Sequence, residues 1–364
     1  MLRALLMKDV MKISVLGCGN VGVSIAADLT LKGHDVTMIK TSTTTNNLCD
    51  KIISNGNVVY MKYCGFVKKA VIKDITHDLS RIESSDIVIV TIHSTYHEHL
   101  IQEIAPYLNG NQICICICSY MSSFYFKKYC RELPIIAETT GPYIEGRLIE
   151  DKPTGVVYFR VGCILSKTPL SVFQKERSAE CLEKIRKLYK GFSDEYSVIE
   201  SALLNPNMVL HTVGSIMSIP RIEYSKGNFC MYREAYARNN RATMNIMLSL
   251  DREKKKVLER LCCKQVDIFE AAGFFGNPME RFFSYSESND RAISPTSVKS
   301  RYITEDVSQG LVLMESIANK VGIRTPITSA LIYIADSALG SDYRNTGRTI
   351  ERLGATSYIE ELMK

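Results

Sequence analysis

The stretch RYITEDVSQGLV sets a guanidinium close to two carboxylates, Arg301 with Glu305 and Asp306, at the opening of a helical pattern. A second stretch, SALLNPNMVLHTVGSIMSIPRIEY, puts His211 one helical turn after Asn207, so both side chains can face the same way. An imidazole steered by a carboxylate is a general acid–base, and a planar guanidinium suits a two-point grip on a substrate carboxylate. On residue types alone, either Glu305 or Asp306 can orient the imidazole. A lone histidine in an apolar helix is more often structural; the Arg301, Glu305 and Asp306 set raises His211 above that background.

Such chemistry needs a reagent, and KISVLGCGNVG suggests one. Ile13, Val15 and Leu16 suit a buried parallel strand, followed by Gly17, Cys18, Gly19, Asn20, Val21 and Gly22. In a dinucleotide cradle the first glycine makes the tight turn, the second lets backbone approach the pyrophosphate, and the third lets the next helix pack on the strand. That helix offers its N–H groups to the phosphates. Asp35 to Ile39 reads as a second strand and completes a βαβ unit. An acidic residue about 20 residues past the glycines marks an NAD site. Here Lys40, Thr41 and Ser42 hold that place, and a cation with two hydroxyls suits a 2′-phosphate, so NADP(H) is expected over NAD(H).

The elements that carry these groups alternate. Asp86 to Ile92 reads as a fully buried strand, Tyr96 to Leu108 as a helix and Gln112 to Cys118 as another strand, which makes the sheet doubly wound. Its ligand edge then gathers Gly17 to Gly22, Lys40 to Ser42, His93 to Thr95 and Ser119. Between about Leu133 and Phe192 the pattern changes. IIAETTGPY ends a strand in hydroxyl, carboxylate and glycine groups, with Thr139, Thr140 and Tyr143 in the turn, and VVYFRVGCIL could extend the sheet. After about Ile199 only helical spacing remains, near 201–220, 237–272, 308–321 and 326–339, with a polar loop, SYSESNDRAISPTS, before the third. The expected fold is α/β plus all-α: a Rossmann-type dinucleotide-binding domain over 1–199 and a helical substrate and catalytic domain over 200–364.

Composition narrows the function classes. A chain of 364 residues that is 46% apolar and 23% charged is comfortable as two globular domains. The net charge of +6 is not gathered into one block, and Lys254 to Lys256 sit beside Glu253 and Glu259 as a solvated face, so no nucleic acid is expected. No apolar run nears the roughly 18 residues that span a bilayer, and the leading MLRALLMKDVM is short and charged, so neither a membrane nor a signal peptide is expected. Twelve cysteines are scattered without a metal-type C-x-x-C pair, and Cys114, Cys116 and Cys118 alternate along one strand, which suits a reducing cytoplasm. His93, His97 and His99, with Glu98 beside them, read as solvated or capping histidines, and no metal is expected.

Taken in order, GCGNVG, ETTGPY, NPNMVLH, YREA, RYITEDVSQGLV and VGIRTPITSALIYIA resemble the opine dehydrogenase family, which includes octopine and nopaline dehydrogenases. The resemblance covers nearly the whole chain, and the order and spacing of the motifs discriminate more than any one of them. It implies condensation of an amino acid with a 2-oxo acid, pyruvate being one candidate, and reduction of the imine by a nicotinamide cofactor. It also implies that His211 is the catalytic histidine, with Asp306 as the partner carboxylate that fixes its tautomer and favours its protonated form. The resemblance further implies that Arg301 holds the oxo-acid carboxylate and that Thr139 or Thr140 meets the amino substrate; Asn207, one turn before His211, is expected to line the same substrate site. Many members carry proline after the histidine where this chain has Thr212. A reductase of 2-oxo or 3-hydroxy acids on the same fold and a non-catalytic dinucleotide sensor are the competing readings. The oligomeric state is open, with a homodimer as one candidate.

Overall fold

A computed structural model of the protein describes residues 10–43, 47–288 and 294–364. Most of the leading segment, 1–9, and the middle of the polar loop, 289–293, lie outside the described residues. The chain divides into two compact units, 1–92 with 96–198, and 199–364 with the short segment His93–Thr95.

The first unit contains β1 (Lys12–Leu16), α1 (Asn20–Leu31), β2 (Asp35–Ile39), β3 (Val58–Tyr63), β4 (Phe66–Val71), β5 (Asp74–Thr76), β6 (Ile87–Val90) and β7 (Ile113–Ile117). It continues through β8 (Ile135–Thr139), β9 (Ile144–Asp151), β10 (Val156–Ile164), β11 (Thr168–Val172) and β12 (Phe192–Asp194). The main sheet is ordered β12-β11-β8-β7-β6-β1-β2-β5. The chain runs outward from β1 and then returns to β6 on its other side, so the topological switch lies at β1. Parallel register levels Leu16 with both Ile39 and Val90, which sets the carboxyl ends of β1, β2 and β6 side by side. IVIV in β6 and ICICI in β7 are buried throughout, as strands covered on both faces must be.

VVYFRVGCIL is a strand, but it does not extend that sheet. As β10 it runs antiparallel to β9 and parallel to β3 in a second sheet, β4-β3-β10-β9. Its burial alternates at first, the mark of a strand with one covered face. The main sheet is instead completed by β11, antiparallel to β8, and by β12. The β3–β4 hairpin, turning through Cys64 and Gly65 at φ 46° and 83°, was not anticipated.

The second unit is helical. It includes α2 (Asn207–Ile216), α3 (Arg241–Arg260), α4 (Arg301–Glu305), a π-helical turn over Asp306–Leu311, α5 (Val312–Val321) and α6 (Pro326–Leu339). The single pattern read near 201–220 is three helices, Val198–Leu203, α2 and Ile219–Ser225. Pro206 and Pro220 each stand near a helix start, where a missing N–H costs nothing. Among the described residues no helix is long and apolar enough to cross a membrane.

Candidate active site

In the first unit, the glycine turn is a shaped cradle. Gly17 has φ +116°, and a Cβ there would stand 2.8 Å from Thr91 Oγ1. A Cβ on Gly22 would stand 1.9 Å from the Gly17 carbonyl oxygen. A Cβ on Gly19 would meet nothing within 4 Å. Two glycines are therefore demanded by packing, and the third leaves open space at the start of α1, where no side chain caps the helix. This combination fits a dinucleotide pyrophosphate. Asn20 is tied elsewhere: its Oδ1 accepts from Leu148 N at 2.8 Å and fastens the cradle to β9. Val21 is half-buried. Cys18 is buried, and its hydrogen bond with Cys49, reinforced by burial, pushes its thiol far above the usual range.

Lys40 closes β2, but its side chain is buried, and Nζ lies 3.1 Å from Asp50 Oδ1. Thr41 is half-buried and Ser42 exposed. At the end of β8, Thr139 is fully buried, and its Oγ1 finds no hydrogen-bond partner among the described residues, whereas Thr140 is half-buried. Tyr143 belongs to the core: its hydroxyl donates to Asp28 at 2.7 Å, and its ring stacks on Tyr189. His97 is also internal, with Nδ1 2.7 Å from Ser122 Oγ and Nε2 3.2 Å from the Ile92 carbonyl, while His99 is exposed beside Glu103.

One carboxylate went unread although its motif was noticed. Glu138, fully buried in ETTGPY, accepts from Met121 N at 3.0 Å, from Ser123 N at 2.6 Å and from the hydroxyls of Ser119 and Ser123. It holds the turn after β7, where Cys118, Tyr120 and Met121 all take left-handed φ, at 57°, 49° and 64°. Strained backbone of this kind persists only where its surroundings over-determine it.

In the second unit His211 and Asp306 come together. Asn205 Oδ1 accepts from Asn207 N at 3.0 Å, an Asx turn that starts α2 and fixes the phase on which His211 follows. Thr212 does not disturb the helix; its hydroxyl donates to the Met208 carbonyl at 2.5 Å. His211 Nδ1 lies 2.9 Å from Asp306 Oδ2, with side-chain exposures of 5% and 2%. A carboxylate on Nδ1 leaves Nε2 as the ring nitrogen that Asp306 does not occupy. Burial lowers the His211 pKa below its usual 6.5; Asp306 pulls the other way without offsetting it, and Arg301 adds to the lowering. The carboxylate thus favours the imidazolium, but desolvation prevails.

Asp306 alone of the two adjacent acids reaches the imidazole. Glu305 turns to the His93–Thr95 segment, accepting from Ser94 N at 2.7 Å and Ser94 Oγ at 2.8 Å, with Arg301 Nη1 at 3.4 Å. Arg348, also buried, donates to the Ser94 carbonyl at 2.7 Å. The split between the two acids falls where α4 gives way to the π-helical turn, a widening that often marks functional sites. The His211 ring also lies flat against Tyr302, a neighbour that sequence reading did not single out.

Comparison with known proteins follows this division. Residues 195–339 match the family model described as NAD/NADP octopine/nopaline dehydrogenase, alpha-helical domain, and residues 13–118 match that of ketopantoate reductase PanE/ApbA. An opine dehydrogenase of Arthrobacter sp. (strain 1C) is 24% identical over 94% of both chains. A vitopine synthase of Allorhizobium ampelinum is 23% identical over 95% of this chain and 97% of its own. A solved octopine dehydrogenase complex with NADH and L-arginine is similar in fold, with TM-score 0.74 and 17% identity, covering 97% of this chain and 98% of that one. The octopine dehydrogenase complexes contain NADH, including those with agmatine and with pyruvate. This overturns the expectation of NADP(H) over NAD(H). The physical reason lies at Lys40, whose ammonium faces Asp50, a carboxylate that would repel a 2′-phosphate. With an α/β unit carrying the cradle and an all-α unit carrying the histidine–carboxylate pair, this chain is homologous along nearly its whole length to the octopine/opine dehydrogenase family.

Proposed function

We propose that this protein is an NADH-dependent opine dehydrogenase, joining the amine of an amino acid to the carbonyl of a 2-oxo acid and reducing the resulting imine to a secondary amine. The carrying observation is the buried His211–Asp306 pair at 2.9 Å, with Arg301 a turn and a half earlier on the same segment. Relatives named as opine dehydrogenase, vitopine synthase and octopine dehydrogenase support the reading. The guanidinium of Arg301 grips the oxo-acid carboxylate. His211 Nε2 gives a proton to the carbonyl oxygen as the amine adds, takes one back from the nitrogen of the adduct, and gives that proton to the same oxygen as it leaves as water. Asp306 keeps the other ring proton on Nδ1. Asn207 lies on the same helical face as His211, and Thr140, less enclosed than Thr139, contacts the amino substrate. Bound nicotinamide supplies the hydride. The twelve cysteines, none of them joined in a disulfide, fit a reducing cytoplasm.

The match of residues 13–118 to ketopantoate reductases favours a second reading, reduction of a 2-oxo acid without an amine. Such reductases usually rely on a lysine in the second domain. Lys254 of α3 is buried there, but it pairs with Asp251 at 2.7 Å, and burial pulls its pKa down. The deciding experiment follows NADH oxidation with pyruvate and a panel of L-amino acids, with no-amine and no-oxo-acid controls. Oxidation that needs both substrates and yields a secondary amine by mass spectrometry is expected. Oxidation with the oxo acid alone would give the second reading, and NADH binding without turnover would give the sensor.

In the reverse direction, opine oxidation, His211 must start as the neutral base. Because its pKa is lowered, the base form predominates at and above the usual value of 6.5 and is lost only as the pH falls through the lower folded value. The kcat for opine oxidation is therefore expected to be flat across neutrality, with its acid limb below that value. A His211-dependent limb centred above it would contradict the assignment.

A further inference from the structure

The His211 and Tyr302 ring centroids are 3.6 Å apart and their planes differ by 5°. A single hydrogen bond, donated by Nδ1 to Asp306 Oδ2, fixes one point of the imidazole but leaves the ring able to swing about the Nδ1–Oδ2 line. A flat aromatic face removes that freedom. Tyr302 is itself held: it packs on the buried cluster of Ile222, Phe229 and Met231, and the Arg301 guanidinium lies 5.7 Å from its ring centre. It follows Arg301 directly on α4, so one short helix bears both the carboxylate grip and the surface against which the imidazole lies.

We propose that Tyr302 is a positioning residue for His211, fixing the imidazole plane so that Nε2 keeps a single direction toward the reacting oxygen. The inference rests on the condensation reading for its catalytic consequence, but the stack itself does not. What matters is the ring face, and the phenol hydroxyl has no part. Proton transfer is sensitive to such placement, because a misalignment of about 1 Å can cost on the order of a hundredfold in rate.

The test compares Tyr302→Phe and Tyr302→Leu in the full chain. In protein labelled at histidine, the His211 ring protons are identified by their loss in His211→Gln. Those protons are expected upfield through the ring current of Tyr302, to remain there in Tyr302→Phe and to move to ordinary positions in Tyr302→Leu. In the condensation assay Tyr302→Phe should keep kcat within about twofold, whereas Tyr302→Leu should lose about tenfold or more with KM for NADH unchanged. Unshifted ring protons in the native protein, or a Tyr302→Leu enzyme with native kcat, would overturn the proposal. If condensation is not the reaction, the native protein shows no amine-dependent turnover while the ring shifts still report the stack, so the two failures are told apart. Loss of kcat in Tyr302→Phe as well, with its ring shifts intact, would assign the effect to the hydroxyl and reject a purely positional role.

Discussion

Replacing His211 with Ala is expected to lower kcat for condensation by about 10²- to 10⁴-fold, the range general acid–base catalysis supplies. The loss should fall on kcat, because the side chain acts at the reacting oxygen. NADH affinity, read by fluorescence titration, should be nearly unchanged, because the glycine cradle belongs to the other unit. Asp306→Asn should fall in the same direction. An amide can donate to Nδ1 and so turn the imidazole to the wrong tautomer, while the fold keeps a side chain of the same size where only 2% of the original is exposed. Steady-state kinetics with both substrates saturating measures this. A His211→Ala enzyme with native kcat would remove the imidazole from the mechanism, whatever the fate of Asp306.

The second large effect lies in the cradle. Gly22→Ala places a methyl group 1.9 Å from the Gly17 carbonyl oxygen, a backbone atom that cannot turn aside as a side chain can. The turn and α1 must separate, and overpacking of this kind costs about 1–3 kcal/mol or more. Thermal stability and NADH binding should fall together, with Kd raised by at least about tenfold, equivalent to about 1.4 kcal/mol. Gly19→Ala provides the contrast. Its Cβ meets no protein atom within 4 Å, so Tm should hold while NADH affinity falls, because the added methyl occupies space that the pyrophosphate needs. Equal Tm losses in both variants would mean that Gly19 is structural too, and unchanged NADH affinity in Gly19→Ala would move the phosphate away from this turn.

Much of this was legible in the sequence where a local period or a tight turn controls the outcome. The strands of the main sheet announce themselves as β-branched runs because both faces are covered, and GCGNVG announces its turn because a Cβ at Gly17 or Gly22 has nowhere to go. The His211–Asp306 pairing came from motif resemblance, since the residues alone left Glu305 equally eligible. Contacts that no local period or turn dictates were not legible. Nothing local reveals that Lys40 would meet Asp50, and reading its cation as free for a phosphate led to the wrong cofactor. The second sheet was missed for a related reason: β3 pairs with β10 across nearly a hundred residues, and VVYMKYCGFVKKAV was not read as a hairpin although Cys64 and Gly65 offer the turn. Glu138 illustrates the same limit, because its partners lie on the preceding loop and its motif shows only that a carboxylate is present.

The π-helical turn at Asp306–Leu311 has a consequence for how such sites diverge. A wide turn amounts to one residue inserted into an α-helix, and it shifts the phase of everything beyond it. Here it begins at the residue that meets His211, while the residue before it fastens Ser94. Two adjacent acids thus hold separate posts through backbone spacing as much as through chemical identity. A relative that had shed that single residue could keep every histidine, arginine and aspartate of the set and still have lost the enzyme, a form of decay invisible to any inventory of matching side chains.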